Sequence, residues 1–148
     1  MAVHDVLTLS VTIAAAFDTA YAFTSQPLNF PKWAAGLSES LHETPRGWVA
    51  PTPEGDALVK FSPPNAYGVL DHHVWIDGKS EIYIPLRMVR NGDGVEVTLT
   101  LFRAPGMDDV AFVKDAEAVR RDLDSLKHLL ERDLPSPASA PPSNAASG

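Results

Sequence analysis

From about Asp108 to Arg132 the chain carries Phe112, Ala116, Val119, Leu123, Leu126 and Leu130 at alternating spacings of four and three. On a helix of about 3.6 residues per turn these six form one continuous apolar stripe. Lys114, Glu117, Arg121, Asp124, His128 and Glu131 fall on the opposite face. Asp108 and Asp109 set negative charge at the positive end of the helix dipole, and Lys127, His128 and Arg132 set positive charge at the other end. Pro135 prevents continuation. At about 1.5 Å per residue the rod is roughly 36 Å long, the width of a small domain. Such a stripe belongs either to a helical bundle or to a helix lying across a sheet, and the β-rich patterning that precedes it selects the sheet.

That patterning begins at Leu7, where Leu7, Leu9, Val11 and Ile13 alternate with Thr8, Ser10 and Thr12. A period of two marks a half-buried strand. Phe17–Thr24 reads as a short helix, ended by Gln26-Pro27, and Leu28–Trp33 as a second helical turn anchored by Trp33. Leu37–Thr44 reads as the second strand. Pro45-Arg46-Gly47 and Pro53-Glu54-Gly55 are turns into strands at Trp48–Pro51 and Ala57–Phe61. Three longer strands follow: Tyr67–Ile76 closed by Asp77-Gly78, Glu81–Arg90 closed by Asn91-Gly92-Asp93-Gly94, and Val95–Arg103. The glycines of the Asn91–Gly94 turn join two strands and open no helix, so they make no phosphate loop. The expected fold is therefore α+β, a seven-stranded, curved antiparallel sheet wrapped around the long C-terminal helix, with two short helices after the first strand.

Composition bounds the function. A chain of 148 residues, 45% hydrophobic, makes one domain with a core of ordinary size. A net charge of −7 argues against a nucleic-acid partner. The absence of cysteine excludes disulfides, thiolate zinc sites and cysteine nucleophiles. Leu7–Ala16 has the length of a signal-peptide core, but its leader carries His4 and Asp5 with no Lys or Arg, and Thr8, Ser10 and Thr12 interrupt it. No run reaches a membrane span. The expectation is a cytoplasmic protein, monomeric or weakly dimeric, that needs no cofactor.

The order of elements resembles the START/SRPBCC superfamily, the helix-grip fold that includes polyketide cyclase/dehydratase-like proteins. The resemblance rests on Ala22-Phe23, Asn29-Phe30-Pro31-Lys32-Trp33, Tyr67-Gly68-Val69-Leu70-Asp71-His72, Thr100-Leu101-Phe102-Arg103 with Pro105-Gly106-Met107, and Asp122-Leu123, Leu126-Lys127 and Leu129-Leu130-Glu131. It covers about residues 3 to 132. It implies a hydrophobic cavity for a small apolar or aromatic ligand, and it places no shared catalytic set on this chain.

Site candidates must then come from the residues. In Tyr67–Ile76, His72 shares a face with Leu70, Val74 and Ile76, while Val69, Asp71, His73 and Trp75 share the other. With the aliphatic set turned to the long helix, His72 enters the cavity. There it serves as a ligand contact or a general acid/base, or it is a core histidine satisfied by a neighbouring strand or water. His72 and His73 point to opposite faces and cannot chelate one metal, and Asp71 with His73 makes a poor site, so no metal is expected. Ile84 and Met88 face inward on the next strand, with Tyr83 and Arg87 in reserve should the register slip, and Leu99 faces inward on the last. If Leu37 and Leu41 face inward, Glu39 comes to the cavity; otherwise Glu39 and Glu43 flank a solvated edge strand. Trp33 and Trp48 stand in the core or on the cavity rim. The candidate ligand contacts are Trp33, Leu41, Trp48, Leu70, His72, Val74, Ile84, Met88, Leu99, Val119, Leu123 and Leu126. A cyclase/dehydratase-like enzyme would use His72 as proton carrier, assisted by Glu39. A third function class, a protein-interaction module, would use the exposed strand face or the tail.

After Leu134 the chain runs Pro-Ser-Pro-Ala-Ser-Ala-Pro-Pro-Ser-Asn-Ala-Ala-Ser-Gly, with no charged, aromatic or β-branched residue. Such a stretch is expected to be a disordered tail (135–148) on a domain of residues 1–134. Deleting it should leave the melting temperature within about a degree or two. Thermal unfolding followed by circular dichroism checks this, and a large loss on truncation after Leu134 would show that the tail docks.

Overall fold

The computed structural model describes residues 3–34 and 37–132. The tail and its boundary at Leu134 lie outside them. The elements are β1 (Val6–Ile13), α1 (Phe17–Thr24), a 3-10 turn (Pro27–Asn29), α2 (Phe30–Trp33), β2 (His42–Thr44), β3 (Gly47–Thr52), β4 (Gly55–Phe61), β5 (His72–Ile76), β6 (Ile82–Ile84), β7 (Leu86–Asn91), β8 (Gly94–Phe102) and α3 (Asp109–Arg132). The α+β class, the antiparallel pairing and the long last helix are as the patterning predicts. The single seven-stranded sheet is not. Among the described residues eight strands form two sheets, one ordered β1-β8-β7 and the other β2-β3-β4-β5-β6.

The division falls at Pro85, inside the segment expected as one strand from Glu81 to Arg90. Proline has no N–H for a ladder, so regular pairing stops there. Before it, β6 pairs with β5; after it, β7 pairs with β8. The backbone N–H of Leu86 turns instead to the Asp71 carboxylate, at 2.9 Å. The strand changes sheets through this bend. Hydrogen bonds from Leu70 N to Leu86 O (2.8 Å) and from Met88 N to Gly68 O (2.9 Å) tie the two sheets across the gap.

Two other expected strands are shorter for a related reason, because side chains capture their backbone. Of Tyr67–Ile76 only His72–Ile76 is strand. The Asn65 Oδ1 accepts from the N–H groups of Tyr67 and Val69, while its Nδ2 donates to Val69 O. Gly68, at φ +74°, lies so close to β7 that a Cβ there would meet Met88 O at 1.9 Å. Of Leu37–Thr44 only His42–Thr44 is strand. Ser38 donates to Pro51 O at 2.6 Å and accepts from Ser40 N, a local arrangement that competes with a ladder.

The stripe on α3 keeps its predicted phase. Phe112, Leu123, Leu126 and Leu130 are buried, and Asp108 caps the helix by accepting from Ala111 N at 2.8 Å. Helix α3 packs on β1 and α2. Its polar flank does more than face solvent. Arg120 donates to Ser10 O (2.7 Å), Lys127 to Thr12 O (2.8 Å), and Glu131 accepts from Ala14 N (2.8 Å). Strand β1 is an edge strand, and these bonds occupy its open side. No helix among the described residues is long and apolar enough to cross a membrane.

Leu126, fully buried at 0% exposure, should cost about 2–5 kcal/mol on replacement by Ala. Val113→Ala, on the exposed side of the same helix, should stay within about 0.5 kcal/mol. Urea unfolding of both variants checks the helix phase; equal effects would contradict it.

Candidate functional site

The site builds up from Asp71 and its neighbour. Asp71 accepts from Arg87 Nε and Nη2 (both 2.8 Å), from Tyr83 Oη (3.0 Å) and from Leu86 N (2.9 Å). The Arg87 guanidinium holds its carboxyl below the usual carboxylate range. This clamp fixes the entry to β5 on its outer face, and strand alternation then turns His72 inward. His72 pairs across the sheet with Phe61 on β4 and Ile84 on β6.

Inside, His72 is 4% exposed. Its ring meets Phe30 edge-on, with centroids 5.2 Å apart, and lies 6.0 Å from the Phe61 ring. Phe30 also stands edge-to-face with Trp33, at 5.4 Å. The His72 Nδ1 lies 3.2 Å from Leu70 O. A carbonyl only accepts, so Nδ1 carries the proton. Burial pushes the His72 pKa down to about 4, against the Leu70 bond, which favours the charged form. At neutral pH the ring is therefore uncharged, with its lone pair on Nε2. Trp33, 3% exposed, buries an indole N–H that has no acceptor among the described residues.

These side chains border a small cavity of about 10 Å³, room for no more than one water. Thr24, Ser25, Phe30, Trp33, Phe61, Ser62, Leu70, His72 and Leu86 line it. The sequence candidates Trp33, Leu70 and His72 are thus brought together. Leu41, Val74, Met88, Leu99, Leu123 and Leu126 are buried, and Trp48, Ile84 and Val119 half-buried, in the same core but outside this cavity. Glu39 is exposed, in a segment that is not strand, and does not reach His72. The cavity lies against α1 and α2 rather than between the sheet and α3, since no α3 residue lines it. Phe30 and Phe61 were missed as site residues. Their signals were the i,i+3 spacing of Phe30 and Trp33, and the position of Phe61 at the strand end opposite His72.

On the outer face a shallow groove of about 320 Å³ lies beside Lys60, Asp71, His73, Trp75 and Glu81. Its ring wall continues as a ladder in which His73 stacks on Trp75 (5.8 Å) and Tyr83 (4.8 Å), and Tyr83 on Phe102 (6.0 Å). Its carboxylates are engaged already, Asp71 by Arg87 and Glu81 by His73. Among the described residues no three His, Asp or Glu side chains are placed to hold a metal.

No protein-family model and no curated protein matches the chain. Solved structures do. A START superfamily protein from Mycobacterium smegmatis superposes with a TM-score of 0.68 at 12% identity, over 86% of this chain and 97% of that one. CalU16 from Micromonospora echinospora gives 0.61 at 18%, over 90% and 78%. DynU16, a protein of the dynemicin biosynthetic locus, gives 0.67 at 14%, over 88% of this chain and 49% of its own. At such identities the likeness shows the fold alone: the chain shares the helix-grip architecture of these structures.

The buried histidine sets a pH dependence. Its pKa is near 6.5 unfolded and about 4 folded, so between those values the unfolded chain binds the extra proton. Stability contributed by neutral His72 is complete above pH 6.5 and falls by about 3 kcal/mol as the pH drops towards 4. Urea unfolding across this window should show the loss, and His72→Leu should flatten it. Parallel slopes in the two proteins would place His72 in contact with water.

Proposed function

We propose that this protein binds a small hydrophobic or aromatic molecule in the core pocket between α2 and the β4–β5 face, with His72 as the main polar contact. The observation that carries this reading is a neutral, buried imidazole with one unused nitrogen, set among the rings of Phe30, Trp33 and Phe61. The helix-grip likeness supports it. Trp33, Leu70 and His72 are the first contacts. Leu41, Trp48, Val74, Ile84, Met88, Leu99, Val119, Leu123 and Leu126 form the packed body that a larger ligand would press against.

A volume of about 10 Å³ admits no organic ligand, so binding requires α2 to move off the sheet. Helix α2 is suited to that, being four residues long and carrying both Phe30 and Trp33. The population of the open state then lowers the apparent affinity in proportion. Catalysis of the cyclase/dehydratase kind is the second reading. His72 would act as general base, but a conjugate acid at about 4 makes it a weak one at neutral pH, and Glu39 is too exposed to assist it. Binding by a monomer or weak homodimer is therefore the function put forward.

Titration with naphthalene should shift the His72 ring signals in NMR spectra while those of His73 and His128 stay in place. Movement of His73 with His72 unchanged would put the ligand in the outer groove and overturn the proposal.

A further inference from the structure

The groove on the outer face of the sheet lies across β5 from His72, and the binding function proposed above does not use it. Its floor follows from strand register. His73 pairs directly with Lys60 on β4 and with Tyr83 on β6, so these three side chains form one row on the outer face. The next row along sets Leu58 beside Trp75. Trp75 stacks on His73 with centroids 5.8 Å apart and planes 16° apart, and both rings line the groove together with Lys60. Strand pairing alone therefore brings an aromatic wall and an ammonium group side by side, and no element has to move. The groove volume of about 320 Å³ lies at the low end of the roughly 300–1,000 Å³ usual for small-molecule sites.

Charge then selects the occupant. Both carboxylates that line the groove are engaged, Asp71 by Arg87 and Glu81 by His73. Lys60 is exposed and pairs with no carboxylate among the described residues. A cationic ligand would meet this ammonium and find the groove's carboxylates already taken. A neutral aromatic leaves the ammonium unused. A nucleic acid needs clustered Lys and Arg, which one ammonium on a chain of net charge −7 does not provide. A small ring system carrying a single negative charge uses both features. We infer that the outer groove is a second binding site, separate from the core pocket, and that it takes aromatic carboxylates. The ring lies against Trp75 and His73, and the carboxylate accepts from the Lys60 ammonium.

The test titrates the full chain at neutral pH with 2-naphthoate and with its uncharged counterpart 2-naphthamide, followed through the histidine and tryptophan side-chain signals by NMR. 2-Naphthoate should shift the His73 ring and the Trp75 indole signals and leave those of His72 in place. It should bind about threefold more tightly than the amide, the size expected of one exposed ion pair. Lys60→Met should abolish that preference and Lys60→Arg should keep it. Lys60 is exposed, so both variants should fold, as circular dichroism would check. Equal affinity for acid and amide, or a preference that survives Lys60→Met, overturns the inference. So does 2-naphthoate that moves neither His73 nor Trp75, or that moves His72 instead. The core pocket stands or falls separately, on the response of His72 to naphthalene, in which Lys60 has no part.

Discussion

Much of this fold depends on one buried-edge carboxylate. Asp71 takes four hydrogen bonds from Tyr83, Leu86 and Arg87, the residues that flank Pro85 on both sides. Proline interrupts the ladder, and without an alternative acceptor the Leu86 N–H beside the break would be left unpaired at a cost of about 1–3 kcal/mol. Asp71 supplies that acceptor. In doing so it lets one continuous segment serve two sheets, with β6 on one side of the bend and β7 on the other. The outer ring ladder from Trp75 through His73 and Tyr83 to Phe102 crosses the same junction, since Phe102 belongs to β8 and the others to β5 and β6.

The clamp also decides what faces inward. With Asp71 held on the outer face, the next residue must point to the core, and the protein accepts a histidine there. Burial keeps His72 neutral, and the Leu70 carbonyl fixes which nitrogen carries the proton. Trp33, brought from the other side by a single helical turn, buries its indole N–H in the same core. Under the proposed binding function, a ligand larger than one water reaches His72 only if the packing of Phe30 and Trp33 loosens.

The sequence made the periodic parts of the structure legible. The α3 stripe, the alternation in β1 and the faces of β5 and β7 follow from spacing alone, because each is a long amphipathic pattern with one buried face. Residues that end strands early were harder to read. Asn65, Ser38 and Pro85 each act through a hydrogen bond made or missing at one backbone position, and the side-chain pattern around them continues undisturbed. That is why Tyr67–Ile76, Leu37–Thr44 and Glu81–Arg90 looked like whole strands. For the site, the inward turn of His72 was legible from Leu70, Val74 and Ile76. Its neighbours Phe30 and Phe61 were not, since they depend on how α2 folds back over the sheet. Glu39 was placed by extending towards the N-terminus a strand that begins only at His42.

The central claim is that His72 sits buried in the core as a neutral ring protonated at Nδ1. A long-range proton–nitrogen NMR spectrum of the nitrogen-15-labelled protein at neutral pH reads this directly, because the two ring nitrogens of each tautomer have distinct shifts. The account predicts the Nδ1–H tautomer for His72, unchanged as the pH is lowered from 7 to 5. An Nε2–H tautomer, or an imidazolium appearing near pH 6.5, would contradict it.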